Sequence, residues 1–402
     1  MLLAWALRRL IRRGHLTLVD ARGRTFEFGT AGALPAATMR LHDATLHHRL
    51  ALEPELALGE AWMDGTLTTE GCTLGDLLTV LSLNLDTAPP LPWEAVGERL
   101  APILRRLQQY NPIARARQNV AHHYDLSDRL YDLFLDSERQ YSCAYFRHAD
   151  ESLETAQRNK MRHIAAKLAI EPGMRVLDIG SGWGGLGLYL AQTCGADVTG
   201  LTLSTEQHAR SNARARAMGL HDRVRFALRD YREEAGTYDR IVSIGMFEHV
   251  GVNHYPAFFT TLKRLLVPQG AALLHAIGRM DGPGTTNAWL RKYIFPGGYA
   301  PALSEVLPVI ERAGLWACDV EILRLHYAET LRHWHERFQS HRSEIAALYD
   351  ERFCRMWEFY LKGAEMDFRY LRTMVFQIQI TRRIDALPPT RDYMVDWEQM
   401  HA

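Results

Sequence analysis

The sequence predicts an α/β protein built on a doubly wound parallel sheet, with a small α+β region ahead of it. Three observations carry that expectation. The run Arg175-Val-Leu-Asp-Ile-Gly-Ser-Gly-Trp-Gly-Gly185 reads as a buried strand that ends in a tight glycine turn and opens a helix. From about residue 160, short apolar runs alternate with helical ones, as in parallel strands joined by crossovers. The chemically distinctive residues fall just after those runs, where an open α/β sheet places its ligands.

The chain has 402 residues, too many for one ordinary core, so two domains are expected. With 47% apolar residues it can build them. Basic and acidic residues balance at 47 each, so no global field draws it to nucleic acid, and no such partner is expected. Cys72, Cys143, Cys194, Cys318 and Cys354 lie far apart without C-x-x-C spacing. That argues against a disulfide framework or zinc knuckle and for a reducing cytoplasm. No apolar run approaches the roughly 20 residues needed to span a bilayer. The start, through Arg13, is too short and too interrupted by arginine to be a signal peptide. The expected location is the cytoplasm, free or on a membrane surface.

In chain order, residues 1–14 suit an amphipathic helix. Leu3, Leu7, Leu10 and Ile11 share one face, and Arg8, Arg9, Arg12 and Arg13 gather toward another. It could cap its own domain or lie as a basic helix on anionic lipid. Residues 16–19 and 25–28 read as strands and 73–83 as a helix. Thr87-Ala-Pro-Pro-Leu-Pro92 reads as a linker, since adjacent prolines continue neither helix nor central strand. Between residues 99 and 120 stand Arg99, Arg105, Arg106, Arg115 and Arg117 and no acid, either a solvated face or a phosphate-facing stripe. The expected division is 1–90 accessory, 91–120 linker and basic helix, and 121–402 catalytic. Within the last, residues 175–179, 197–203, 224–228, 239–244 and 271–276 read as buried strands, with helices at 205–218 and 255–266. The aromatic-rich tail, residues 328–384, reads as helical and as a lid or wall over the site.

Gly180, Gly182, Gly184 and Gly185 let backbone approach a ligand where a side chain would block it. The choice is between a dinucleotide and S-adenosylmethionine (SAM). Dinucleotide sites place an acid near the end of the second strand. Here that strand ends Gly200-Leu-Thr-Leu-Ser204, with Glu206 already in the next helix. Thr202, Ser204 and Gln207 could instead bond a ribose or carboxylate. Trp183 would crowd a pyrophosphate, which SAM lacks, and Asp230 is placed to accept from an adenine amine. Glu248 and His249 follow the fourth strand and His275 ends the fifth. Glu248 and His275 could act as a base or hold an anion. Metal ligation is the rival, without a tight H-x-x-x-H or H-x-H pair to favour it. His249 reads as a core histidine satisfied by backbone. Cys143 sits between aromatics with no histidine in its segment, so chemistry alone makes it a packed small group rather than a nucleophile.

Taken together, the residues resemble the cyclopropane-fatty-acyl-phospholipid synthase family. The resemblance rests on His123-Tyr-Asp-Leu-Ser127, Tyr141-Ser-Cys-Ala-Tyr145, the glycine run, Asp230-Tyr-Arg232, Gly245-Met-Phe-Glu-His-Val-Gly251, Leu274-His-Ala-Ile-Gly278 and Lys292-Tyr-Ile-Phe-Pro-Gly-Gly298. It extends to Tyr327-Ala-Glu-Thr-Leu331 and Trp334-His-Glu-Arg-Phe338, and N-terminally to Leu58-Gly-Glu-Ala-Trp-Met-Asp-Gly65.

The resemblance implies a seven-stranded, mostly parallel SAM-methyltransferase sheet. It implies transfer of the SAM methyl carbon to a cis double bond in a phospholipid acyl chain. The resulting carbocation then closes to a cyclopropane when bound bicarbonate takes a proton. The family's bicarbonate holders map onto Cys143, Glu248, His275 and Tyr327. Its SAM contacts map onto Tyr141, Ser142, Gly180, Gly182, Thr202, Gln207, Asp230 and Tyr231. It further implies a phospholipid membrane partner on the inner face and a homodimer through the N-terminal domain. No metal is implied. Ser181 stands where many relatives carry cysteine. Relatives that leave a methylene or a methyl branch on the same lipids define the rival products. A non-catalytic lipid binder with a relic SAM fold is the rival class, disfavoured because all four bicarbonate-holding residues are present.

Overall fold

The computed structural model describes residues 2–85 and 127–401. These form two compact units. Residues 87–92 and 99–120 and the His123 motif up to Leu126 lie outside the described residues.

The first unit comprises residues 2–85, 285–296 and 328–373. Its sheet has the order β2-β1-β3-β4, with β1 (His15–Val19), β2 (Thr25–Gly29), β3 (Ala36–Leu41) and β4 (Leu67–Thr69). β1 runs parallel to β3, and the β1–β2 and β3–β4 pairs are antiparallel. The period-two alternation puts Leu16 and Leu18, with Met39 and Leu41, into the core. The helix Leu2–Leu10 buries Leu3, Ala4 and Leu7 against the same core, so its apolar stripe serves its own domain. Asn84 ties down the end of that segment. Its Oδ1 accepts from the Arg12 and Arg13 amides at 2.9 Å each, and its Nδ2 donates to the Arg13 and Val80 carbonyls.

The expected boundary needs correction. Residues 285–296 and 328–373 were assigned to the sheet half, yet they group with the first unit. The reason is packing. Met366, from the helix Glu351–Tyr370, enters the N-terminal core. Trp289 is fully buried against Gly59, where a Cβ would stand 2.4 Å from the indole nitrogen. Lys292 pairs with Glu60 at 2.7 Å.

The second unit comprises residues 127–284, 297–327 and 374–401. Its seven-stranded, mostly parallel sheet has the order β10-β11-β9-β8-β5-β6-β7. The five strands read from sequence are β5 (Arg175–Ile179), β6 (Asp197–Thr202), β7 (Val224–Leu228), β8 (Tyr238–Ile244) and β9 (Leu266–Arg279). All their mutual pairings are parallel. The sheet is buried on both faces: Leu177, Ile241 and Leu274 join one core, and Val176, Val242 and Leu273 the other.

Two strands complete it, β10 (Trp316–Ile322) and the antiparallel β11 (Thr373–Thr381). β11 corrects the reading of the tail as helical throughout. Its apolar residues are punctuated by Gln377 and Gln379, and it follows a 20-residue helix, so it lacks the apolar run of its neighbours. Chain order reverses at β5, with β6 on one side and β8 on the other. That opens a crevice at the carboxyl ends of the strands.

Candidate functional site

The crevice is a cavity walled by the segments that leave those strands. Gly180–Trp183 follow β5, Thr202 and Leu203 end β6, Asp230–Arg232 follow β7, and Gly245–Val250 follow β8. Tyr141 and Ser142 enter from an irregular segment ahead of the sheet. All eight residues expected to contact the cofactor line this one cavity.

Local geometry explains the residue types. Gly180 has φ +87°, and a Cβ there would meet the Met246 Cβ at 2.8 Å, so only glycine fits. At Gly182 (φ +54°) a Cβ would meet nothing within 4 Å, leaving bare backbone for a ligand to approach. Trp183, in the wall, donates from its indole to Asp128 Oδ1 at 3.1 Å and packs on Tyr131. Thr202 donates to Gln207 Oε1 at 2.8 Å, which commits the acceptor end of that amide and leaves its NH2 as the donor. Both Asp230 oxygens accept from Arg232, at 2.8 and 2.7 Å, a bidentate pair that fixes the carboxylate in the wall. Ser204, weighed as a ligand contact, works as a helix cap: its Oγ accepts from the Gln207 amide. His249, expected in the core, lines the cavity, and burial pushes its imidazole down to about 4.

The second group lies at the ends of β8 and β9. Ile244 pairs with His275, which brings the Glu248 turn beside β9. Glu248 Oε1 accepts from the Ile277 amide at 2.6 Å, while Oε2 is buried with no hydrogen-bond partner among the described residues. Burial pushes this carboxyl up to about 7, opposed by the Ile277 amide. His275 is 2% exposed, and burial, helped by the Lys160 and Lys167 charges, pushes it down to about 3. The ring is therefore neutral, with Nδ1 3.2 Å from Gln377 Nε2. With the Gln377 amide donating, the ring proton sits on Nε2 and offers one donor. Gln377 Oε1 is buried and without a partner.

Cys143 and Tyr327 are both buried. Their segments meet through His326, whose Nδ1 accepts from the Phe146 amide at 3.1 Å and whose ring stacks on Tyr145 at 4.7 Å. Sequence reasoning missed Gln377, the Ile277 amide and Arg139, which also lines the cavity. Only Gln377 left a signal: an amide amid apolar residues of a buried strand needs a polar partner.

Three comparisons place this geometry. A family profile described as Mycolic acid cyclopropane synthetase matches residues 112–378. The cyclopropane-fatty-acyl-phospholipid synthase of Escherichia coli K12 is 37% identical over 356 residues, covering 88% of this chain and 90% of that protein. Tuberculostearic acid methyltransferase UfaA1 of Mycobacterium tuberculosis is 37% identical over 352 residues, covering 84% and 81%. Among solved structures, mycolic acid cyclopropane synthase CmaA1 complexed with SAH and CTAB superposes with a TM-score of 0.63. It shares 33% identity and covers 67% of this chain and 98% of that one.

Proposed function

The chain belongs to the mycolic acid cyclopropane synthetase family and is a SAM-dependent C-methyltransferase of lipids; from that premise we propose that it converts a cis double bond of a phospholipid acyl chain into a cyclopropane. The observation that carries this reading is the buried Glu248 Oε2, without a partner among the described residues, on a carboxylate held by the amide two residues beyond neutral His275. Methyl transfer to a double bond leaves a cation that must give up a proton to some base. Ring closure asks for a base held near the delivered methyl, away from water.

SAM supplies an electrophilic methyl when bound. Tyr141, Ser142, Gly180, Gly182, Thr202, Gln207, Asp230 and Tyr231 would hold it, through backbone at the glycines and polar side chains in the wall. Bicarbonate supplies the base when bound. Cys143, Glu248, His275 and Tyr327 would hold it, and the donor set fits. A carboxyl near 7 can donate to an anion or accept from its hydroxyl, and neutral His275 adds a donor without adding charge. The aromatic walls offer ring faces to a cationic centre, worth roughly 0.5–2 kcal/mol each.

A phospholipid is favoured because the phospholipid synthase matches 88% of this chain, against 67% for the mycolic acid enzyme. Such a substrate stays in a bilayer. Among the described residues no helix is long and apolar enough to cross one. The first helix suits surface contact: Arg8 and Arg9 on it and Arg12 and Arg13 just past its end are exposed and make no ion pair among the described residues, and Trp5 is 41% exposed under the Arg9 guanidinium. Binding to anionic vesicles should weaken as salt rises; salt-independent binding would remove this contact. The accessory role of residues 1–90, in lipid contact or in pairing two copies, is read by vesicle flotation and light scattering.

The equal identity to a tuberculostearic acid methyltransferase supports a second reading, a methyl-branched product. Unsaturated phospholipid vesicles incubated with methyl-deuterated SAM distinguish the two. Two retained deuterons with ring signals are expected. Three retained deuterons mean a methyl-branched alkene formed by loss of a chain proton, and two with vinylidene signals mean a methylene, which becomes a methyl branch only with an added hydride donor.

A further inference from the structure

We propose that Lys160 is a positioning residue for this reaction: its buried ammonium holds Gln140 and Ser142 and thereby sets the segment carrying Tyr141, Ser142 and Cys143. The proposal rests on the reading of those three residues given above.

Residues 139–146 form no helix or strand, although Gln140, Ser142, Cys143 and Ala144 are buried. The segment starts at Arg139 with φ +52°, a left-handed backbone that a non-glycine residue keeps only when its surroundings impose it. The helix Leu153–Lys167 imposes it from one side. Gln157 and Lys160, one turn apart and each 1% exposed, face the segment together. Gln157 Nε2 donates to the Gln140 and Ser142 carbonyls at 3.2 and 3.0 Å. Lys160 Nζ donates to Gln140 Oε1 at 2.7 Å and Ser142 Oγ at 2.8 Å. Backbone is held by the neutral side chain and the two polar side chains by the cation.

Charge sets Lys160 apart from an ordinary buried donor. Only five of the 47 basic residues in this sequence are lysine, yet the fully buried cation beside the cavity is one of them. Arginine would bring a rigid fork too large for two diverging acceptors, whereas ammonium is a compact point charge with three turnable donors. Asp136 and Asp178 are both buried, and Lys160 opposes the upward push that burial exerts on each. Asp178 lines the cavity at the end of β5, and Asp136 accepts from the Gln140 amide at 2.9 Å. Lys160 is thus tied directly to Gln140 and Ser142 in the segment that bears Cys143. Burial in turn lowers its own proton affinity.

The test is a cycle on SAM affinity, measured by calorimetry on the full chain. Lys160→Met and Lys160→Gln should each weaken SAM binding by at least about tenfold, and Ser142→Ala by a few-fold. The double variant Lys160→Met/Ser142→Ala should bind no more weakly than Lys160→Met alone, because the hydroxyl has already lost its anchor. Lysine variants within twofold of the parent, or a double variant whose loss is the product of the singles, would overturn the proposal. A readout on the unaltered protein guards against variants that fail to fold. With five lysines, a side-chain nitrogen NMR spectrum is sparse. Two of the five, Lys160 and Lys167, are buried; S-adenosylhomocysteine should shift the protected signal that Lys160→Met removes and leave the exposed ones in place. No lysine signal moving at saturation overturns the proposal. Both readouts are taken without lipid, so a wrong product assignment changes neither.

Discussion

The cofactor cavity and the Glu248–His275–Gln377 group share one sheet but treat their polar atoms in opposite ways. Around the cavity, several polar side chains are held by one another or by residues just behind the wall. Arg232 takes both oxygens of Asp230, Gln207 takes the Thr202 hydroxyl, and Asp128 takes Trp183 and Arg210. At the ends of β8 and β9, Glu248 Oε2 and Gln377 Oε1 are buried with no hydrogen-bond partner among the described residues. Such an atom costs about 1–3 kcal/mol. The first region is shaped in advance of its ligand. The second carries a cost that a polar ligand would relieve, which is how a fold reserves binding strength for a small ion.

The sharpest way to break this contrast is Glu248→Gln. It keeps an oxygen for the Ile277 amide but removes the acid. Turnover should fall by about 100-fold or more while the SAM dissociation constant stays within about threefold. Equal loss of both, measured by methyl incorporation and calorimetry, would merge the two regions into one. Next comes pH. The Glu248 carboxyl titrates near 7 when folded against its ordinary 4.5, so the folded state holds its proton longer. Stability should fall as pH rises from 4.5 to 7, by on the order of 3 kcal/mol. The depressed His249 and His275 act in the opposite sense below their ordinary value, so the contribution is isolated by comparison with Glu248→Gln. The variant should gain on the parent between pH 5 and pH 8 in denaturant midpoints; a constant gap would refute the assignment.

Gly180→Ala probes the other region. A side chain at φ +87°, pressed on Met246, should cost about 1–3 kcal/mol and weaken SAM binding at least as clearly as it lowers Tm. Unchanged affinity would mean the turn does not shape the cavity. The smallest effect on chemistry belongs to Asn84→Ala, in the first unit. It leaves the Arg12 and Arg13 amides without their acceptor and should cost about 1–3 kcal/mol in stability, with SAM affinity unaltered.

What the sequence made legible follows the same divide. The strands β5 to β9 and the cavity residues announce themselves because buried apolar runs end in glycine turns, and such turns are local. The partners of the second group are not local. Gln377 lies 102 residues from His275, in a strand whose glutamines interrupt its apolar run. Glu248 and His275 stood out as ionisable groups at strand ends, but nothing nearby showed that Ile277 would donate backbone to one of them. The boundary between units failed for a related reason: Trp289 and Met366 complete a core whose other half is written more than 200 residues earlier.

The place of β11 has a consequence for the making of the protein. It is the last strand of this sheet in chain order, and it inserts between β9 and β10. Until residue 373 has emerged, those two strands expose unpaired edges, the sites at which nascent sheets stick to one another. The segments of the cofactor crevice are complete in sequence by residue 250, so a shortened chain already carries every wall of that crevice except its later support. Gln377 arrives with β11. Translation order therefore makes the His275 pairing a late mark of a completed sheet, and a chain cut short before β11 is marked by open sheet edges that a chaperone or protease can read.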